Sequence, residues 1–184
     1  MIMKSNCVIV IICFLAFSLC STKEESYWEN LSPQKQFDLI HSNYMKPEAL
    51  AFYNDSFILT DDEQSFSLLE YLITQIGSSK FSPLCFYLFN KAVLTADGAL
   101  AESMGNYCVQ LLNKNGPYVL VYLESHPELE DNYLMFVGEY YSYEDNTSFK
   151  EFCDTLHNGL KKQNSNPSGF LDKLQERHKS YRDQ

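Results

Sequence analysis

Glycine and proline are scarce in this chain, 7 and 6 in 184 residues, too few for the turn-rich rhythm of a β-sandwich or barrel. No alternation of apolar and polar residues runs long enough to specify a strand. A glycine-rich phosphate loop, a Gly-x-Ser-x-Gly elbow, a His-Glu-x-x-His run and paired Cys-x-x-Cys ligands are all missing. Their absence removes the motif-level case for phosphate binding, serine hydrolysis and zinc chemistry. Positive charge is short as well: 14 Lys and Arg stand against 24 Asp and Glu, a net charge of -10 with no basic run. Nucleic acid and anionic lipid headgroups are therefore poor partners.

What remains is apolar and aromatic. Hydrophobic residues make up 45% of the chain, with 13 Tyr and 13 Phe, which a disordered chain of this charge would not carry. The composition predicts an all-α fold. The densest apolar stretch, Phe81 to Leu112, reads as two helices. One runs from Ser82 with Pro83 in its first turn and is apolar on nearly every side, so it must be enclosed as a central post. The other starts near Asp97 and carries Leu100, Met104, Tyr107, Cys108, Leu111 and Leu112 on one stripe, lying against the first.

Around this pair the chain reads as about eight short helices joined by loops of a few residues. Ser32 with Pro33 opens a helix holding Phe37, Leu39 and Ile40, and Pro47 opens a short one through Leu50, Ala51 and Tyr53. Thr60 and Glu63 form a capping box before Phe66, Leu69, Leu72, Ile73 and Ile76, and Gly77 stops that helix. Gly116 and Pro117 end one helix and open the next. Glu128 to Tyr143 is amphipathic with Tyr140 facing inward, and Asn146 or Thr147 caps a helix holding Phe149, Phe152, Cys153, Leu156 and Leu160. A last helix from Phe170 has only Leu171, Leu174 and Tyr181 to bury, and is expected to fray. Short loops favour antiparallel neighbours, so stacked helical hairpins or an irregular bundle follow. The architecture is similar to helical-repeat scaffolds of the HEAT or tetratricopeptide kind in rhythm only, because no residue pattern recurs at a fixed period.

The N-terminus carries an address. Lys4 precedes an uncharged, mostly apolar stretch from Cys7 to Leu19, of signal-peptide rather than membrane-spanning length. Phe17, Ser18, Leu19 and Cys20 at its end resemble the lipobox of bacterial lipoproteins, and Ser21 to Glu25 resembles the charged export signal of surface lipoproteins in some Gram-negative bacteria. The resemblance implies acylation of Cys20 and an outer-membrane, cell-surface location. It divides the chain into a signal peptide (1–19), a lipidated tether (20–32) and a single helical domain (33–184). Two other readings stay open. Ordinary signal-peptide cleavage with Ser18 and Cys20 as the small residues would give a soluble periplasmic or secreted protein, and the apolar stretch could be retained as an anchor.

Few residues suggest chemistry. Cys85 and Cys108 sit at inward positions of adjacent helices, where they either bridge or behave as small hydrophobes. Cys153 and His157 stand four apart on one helix, a spacing suited to a nucleophile and base, yet Cys153 falls in an apolar stripe. His126 lies among Glu124, Glu128, Glu130 and Asp131 without the spacing of a calcium loop. The N-glycosylation sequons at Asn54 and Asn146 would be idle in a bacterial lipoprotein. No catalytic residue, metal ligand or cofactor is assigned. A cluster from Glu139 to Asp145 combines aromatic faces with carboxylates, and from it Tyr141, Tyr143, Glu144 and Asp145 are the candidate contacts for a partner. The expectation is a non-enzymatic binding module for a protein or glycan. An immunity-type inhibitor of a basic toxin is the alternative, and a Cys/His enzyme the third reading.

Overall fold

A computed structural model describes residues 27–162 and 168–183. The signal-like stretch, Cys20 and the charged residues after it lie outside those residues. In chain order the helices are α1 (Pro33–Ile40), α2 (Pro47–Tyr53), α3 (Glu63–Gln75), α4 (Ser82–Thr95), α5 (Gly98–Leu123), α6 (Pro127–Ser142), α7 (Asn146–Lys162) and α8 (Ser168–Arg182). Among the described residues there is no strand, and the fold is all-α as expected. The chain divides into two compact units that meet between Met45 and Lys46.

The first unit contains α1 and a 3-10 turn over Trp28–Asn30, so the end of the expected tether is a folded turn with a buried tryptophan. Ser32 caps α1, accepting a hydrogen bond from the Lys35 N–H at 3.3 Å, with Pro33 in the first turn. The Gln36 amide donates to the Trp28 carbonyl and ties the helix to the turn. No residue of α1 is buried, and Phe37 is exposed with its ring stacked on His41. Leu39 and Ile40 are half-buried, so the expected apolar side of this helix is only partly covered.

The second unit runs from α2 to α8 and stacks helical hairpins in two rows. Consecutive helices pair as α3 with α4 and α5 with α6, while every helix also packs on the one two places on: α3 on α5 on α7, and α2 on α4 on α6 on α8. Such stacking lets each pair cover the apolar side of the next, which a lone hairpin cannot do. Helix α4 is enclosed as expected: Leu84, Cys85, Phe86, Leu88, Phe89, Asn90, Ala92 and Val93 are all buried. Helix α5, however, packs principally on α6, α7 and α3, and α6 is the element with the most neighbours. Its Tyr133 is fully buried and donates its hydroxyl to the Asn90 side-chain oxygen of α4 at 2.9 Å, a polar link inside an apolar core, although the Asn90 Nδ2 is buried there without a partner among the described residues.

Two local expectations shift, the cap of α3 and the buried side of α2. Helix α3 is capped by Asp62 rather than Thr60: the Asp62 carboxylate accepts the Ser65 N–H at 2.7 Å, and the Thr60 hydroxyl donates to Asp62 instead. An ionised acceptor makes the stronger cap. The expected break at Gly116 and Pro117 is present: α5 is two helical runs joined across a kink, with Asn115 alone outside helical geometry at φ -135° and ψ 25°. Beyond the kink, Tyr118 and Tyr122 reach the Phe86 ring of α4 at 4.9 and 5.0 Å. Helix α2 buries Ala49 and Phe52, not Leu50, Ala51 and Tyr53. Gly77 does stop α3, at φ +73°, with its N–H donating to the Ser82 hydroxyl.

None of α1 to α6 has a basic residue in its last turn, and three of these helices borrow one from elsewhere in the sequence. Lys91 donates to the Phe52 carbonyl at the end of α2 at 2.7 Å and pairs with Asp55 at 2.6 Å. Lys114 donates to the Ile73 and Thr74 carbonyls of α3 at 2.9 and 3.0 Å. On α8, His178 bonds the Tyr141 carbonyl at 3.2 Å and Arg182 the Glu144 carbonyl at 2.9 Å, both at the end of α6. Each side chain adds a partner to carbonyls at a helix end, and the lysine and arginine charges offset the negative end of the dipole.

Candidate functional site

Helices α5 and α6 cross so closely that a Cβ on Gly105 would meet the Phe136 carbonyl oxygen at 2.7 Å and the Tyr140 Cβ at 2.8 Å. The missing side chain is what lets the backbones approach. Beside this crossing lies a cleft of about 390 Å³, lined by Ala101 and Glu102 of α5, by Phe136, Glu139 and Tyr140 of α6, and by Tyr143 and Glu144 beyond its end. Phe136 is its buried floor, and Glu102, Tyr143 and Glu144 are exposed at its mouth. Tyr143 is 84% exposed. Three carboxylates line the cleft and no basic residue does.

The four candidate contact residues part company here. Tyr143 and Glu144 line the cleft. Tyr141 does not: it is 6% exposed, with its ring held between Phe149 and Phe152 of α7 at 5.4 and 5.0 Å. The expectation that Tyr140 faces inward and Tyr141 outward is thus corrected. Tyr141 lies four residues after Val137 on the stripe that α7 folds back to cover, whereas Tyr140 lies against Gly105 of α5 and is half-buried. Burial raises the Tyr141 phenol pKa, with smaller contributions from Tyr140, Cys153 and Glu144. Asp145 is exposed but serves as the cap of α7, a role expected of Asn146 or Thr147. Its carboxylate accepts the Thr147 N–H at 2.7 Å, the Ser148 N–H at 3.0 Å and the Ser148 hydroxyl at 2.9 Å. These bonds hold its pKa below the ordinary value, the Ser148 N–H contributing most.

The other candidates do not assemble. Cys153 is buried while His157 is exposed, so thiol and imidazole do not converge. Burial pushes the Cys153 thiol up to about 11, away from the thiolate that nucleophilic chemistry needs. Cys85 and Cys108 are free and buried, their thiols likewise raised, Cys85 to about 12. His126 is spent on the end of α5: its Nδ1 lies 2.8 Å from the Tyr122 carbonyl and its ring stacks on Tyr122 at 3.9 Å. Among the described residues no group of three or more His, Cys, Asp or Glu is placed to hold a metal ion.

A second cleft, of about 360 Å³ between α6 and α8, is lined by Asp131, Leu134, Lys173, Glu176, Arg177 and Ser180. Its acids and bases are matched, and Lys173 at its edge is already paired with Glu130 at 2.6 Å. The first cleft differs in having acids alone. Glu102 is the lining carboxylate that sequence reasoning missed, and the signal was Gly105 three residues on, a glycine in mid-helix that marks a close crossing on the same face.

The second unit is thus an all-helical stack with an acidic, tyrosine-edged cleft on one hairpin. Compared with profiles of known protein families, with curated proteins and with solved structures, the chain matches none of them. Among the described residues no helix is long and apolar enough to cross a membrane.

Proposed function

We propose that the chain is an exported, non-enzymatic binding module, held at a membrane by a lipid on Cys20, which engages a protein partner through the α5–α6 cleft. The observation that carries the reading is Tyr143, a large aromatic side chain 84% exposed at the mouth of a cleft whose three carboxylates no lining base offsets. Exposed aromatic anchors are what interfaces are built on. Stacked helical hairpins commonly offer such surfaces, and that support is architectural analogy. The tether rests on Cys20, on the apolar stretch before it and on the charged residues after it. The acidic cleft also favours the alternative, an immunity-type inhibitor that covers a basic toxin surface.

A photoreactive phenylalanine placed at position 143 in living cells tests the binding reading. It is expected to form a protein adduct that disappears when Glu102 and Glu139 are changed to Gln. The same group at Leu94, exposed at the end of α4, should form none. No adduct from position 143, or equal adducts from both positions, would contradict the reading. A toxin in the adduct would decide for the inhibitor. The tether is tested separately: an alkyne fatty acid should label the wild type and not Cys20→Ser, and label persisting in the variant would sink it.

A further inference from the structure

The chemistry of the cleft narrows what the partner presents, and on the binding reading above we infer that the cleft receives the guanidinium group of an arginine. Glu102 approaches from α5, Glu139 from the last turn of α6 and Glu144 from just beyond it, so the acids converge from two helices rather than along one exposed edge. Among the described residues none of the three carboxylates forms an ion pair. Arg182, which bonds at this end of α6, donates to the main-chain carbonyl of Glu144 and leaves the carboxylate available. The cleft between α6 and α8 differs on this point, since it carries its own lysine and arginine beside two acids and is balanced in charge.

The tyrosines choose among cations. Tyr140 and Tyr143 line the same cleft as the acids, and Tyr143 has an open ring face. A guanidinium is planar and weakly hydrated, stacks on such a face and presents a donor fork to a carboxylate beside it. An ammonium is a compact, strongly hydrated point charge that can sit over a ring, as Lys91 does over Phe52 at 4.7 Å, but has no plane to stack on it and no fork to offer a carboxylate. The volume of about 390 Å³ lies at the small end of ligand-sized pockets, room for one long side chain and its hydration rather than for a folded loop. The partner therefore presents one arginine, with flanking chain running over the exposed mouth.

The test uses the full-length chain in mild detergent, with 3-fluorotyrosine at position 143, titrated by N-acetyl-arginine methylamide. The lysine analogue and citrulline, a neutral isostere of arginine, serve as comparison probes. A saturable fluorine shift with the arginine probe is expected, about tenfold weaker with citrulline and distinctly weaker with lysine. Glu102→Gln with Glu139→Gln should weaken the arginine probe by about tenfold, whereas Asp172→Asn, an exposed acid on α8, should leave it unchanged. Thermal unfolding of each variant shows whether its fold is intact. Citrulline matching arginine, lysine matching arginine, or no saturable shift overturns the inference. If the probe fails while the position-143 adduct persists, the arginine assignment falls and the binding module stands. If both fail, both fall.

Discussion

Helix α6 begins in one environment and ends in another. Around Tyr133 it is walled in by α4, the tyrosine hydroxyl bonded to Asn90 and its ring 6.4 Å from that of Phe89. At its last turn the helix has two fates on two sides: Tyr141 goes under Phe149 and Phe152, while Tyr143, two residues on, stands in solvent above three carboxylates. The buried side can be explained by the fold alone. The open side cannot, because an exposed aromatic over unbalanced acids contributes little to stability and leaves apolar surface in water. The difference teaches where to look for function: at the part of the helix whose residues the fold does not need.

The walled-in region should break hardest. Leu88→Ala, in the middle of α4 and fully buried, is expected to lower stability by about 3 kcal/mol in urea unfolding, the cost of a cavity that close-packed neighbours cannot fill. A loss under about 0.5 kcal/mol, in the range of surface changes, would make α4 a surface helix. The α5–α6 crossing comes next. In a free helix Gly105→Ala would stabilise by up to about 1 kcal/mol. Here the new methyl meets a backbone carbonyl, and overpacking of about 2 kcal/mol is expected to win. A stabilised variant would show that the helices separate freely and that the cleft is not a fixed shape.

The smallest effect is the cap at Asp145. Its pKa is lowered in the folded chain, so the stability it adds is fully present above the ordinary value of 3.8 and is lost as pH falls through the lowered one. Asp145→Asn keeps the cap and has no charge to lose. Its unfolding midpoint should fall less than that of the wild type on acidification through this window. Parallel curves would mean that the carboxylate interacts with something besides the α7 N-terminus.

Much of this was legible in the sequence. Ser32 with Pro33, Gly77, and the apolar run of α4 announced their roles through local geometry that needs no partner. The stacked hairpins followed from short loops between amphipathic stretches. What stayed hidden depended on residues far apart in the chain. Lys91, Lys114, His178 and Arg182 cap carbonyls 37 to 41 residues away, and nothing in their own neighbourhood says so. Tyr140 and Tyr141 are adjacent, and either suits the inward stripe of α6. The choice fell to which neighbour arrives where: α7 returns over Tyr141, and Gly105 of α5 makes room beside Tyr140. The cleft took shape only when Glu102 joined Tyr143 and Glu144 from another helix.

The division of the α6 terminus is tested most directly by unfolding Tyr141→Ala and Tyr143→Ala side by side in urea. Tyr141→Ala is expected to lose about 3 kcal/mol, as for a buried aromatic whose pocket stays open. Tyr143→Ala is expected to change stability by less than about 0.5 kcal/mol while abolishing the fluorine-detected or cross-linked contact at the cleft. Equal losses, or a larger loss at Tyr143, would mean that the exposed tyrosine belongs to the fold and is not held out for a partner.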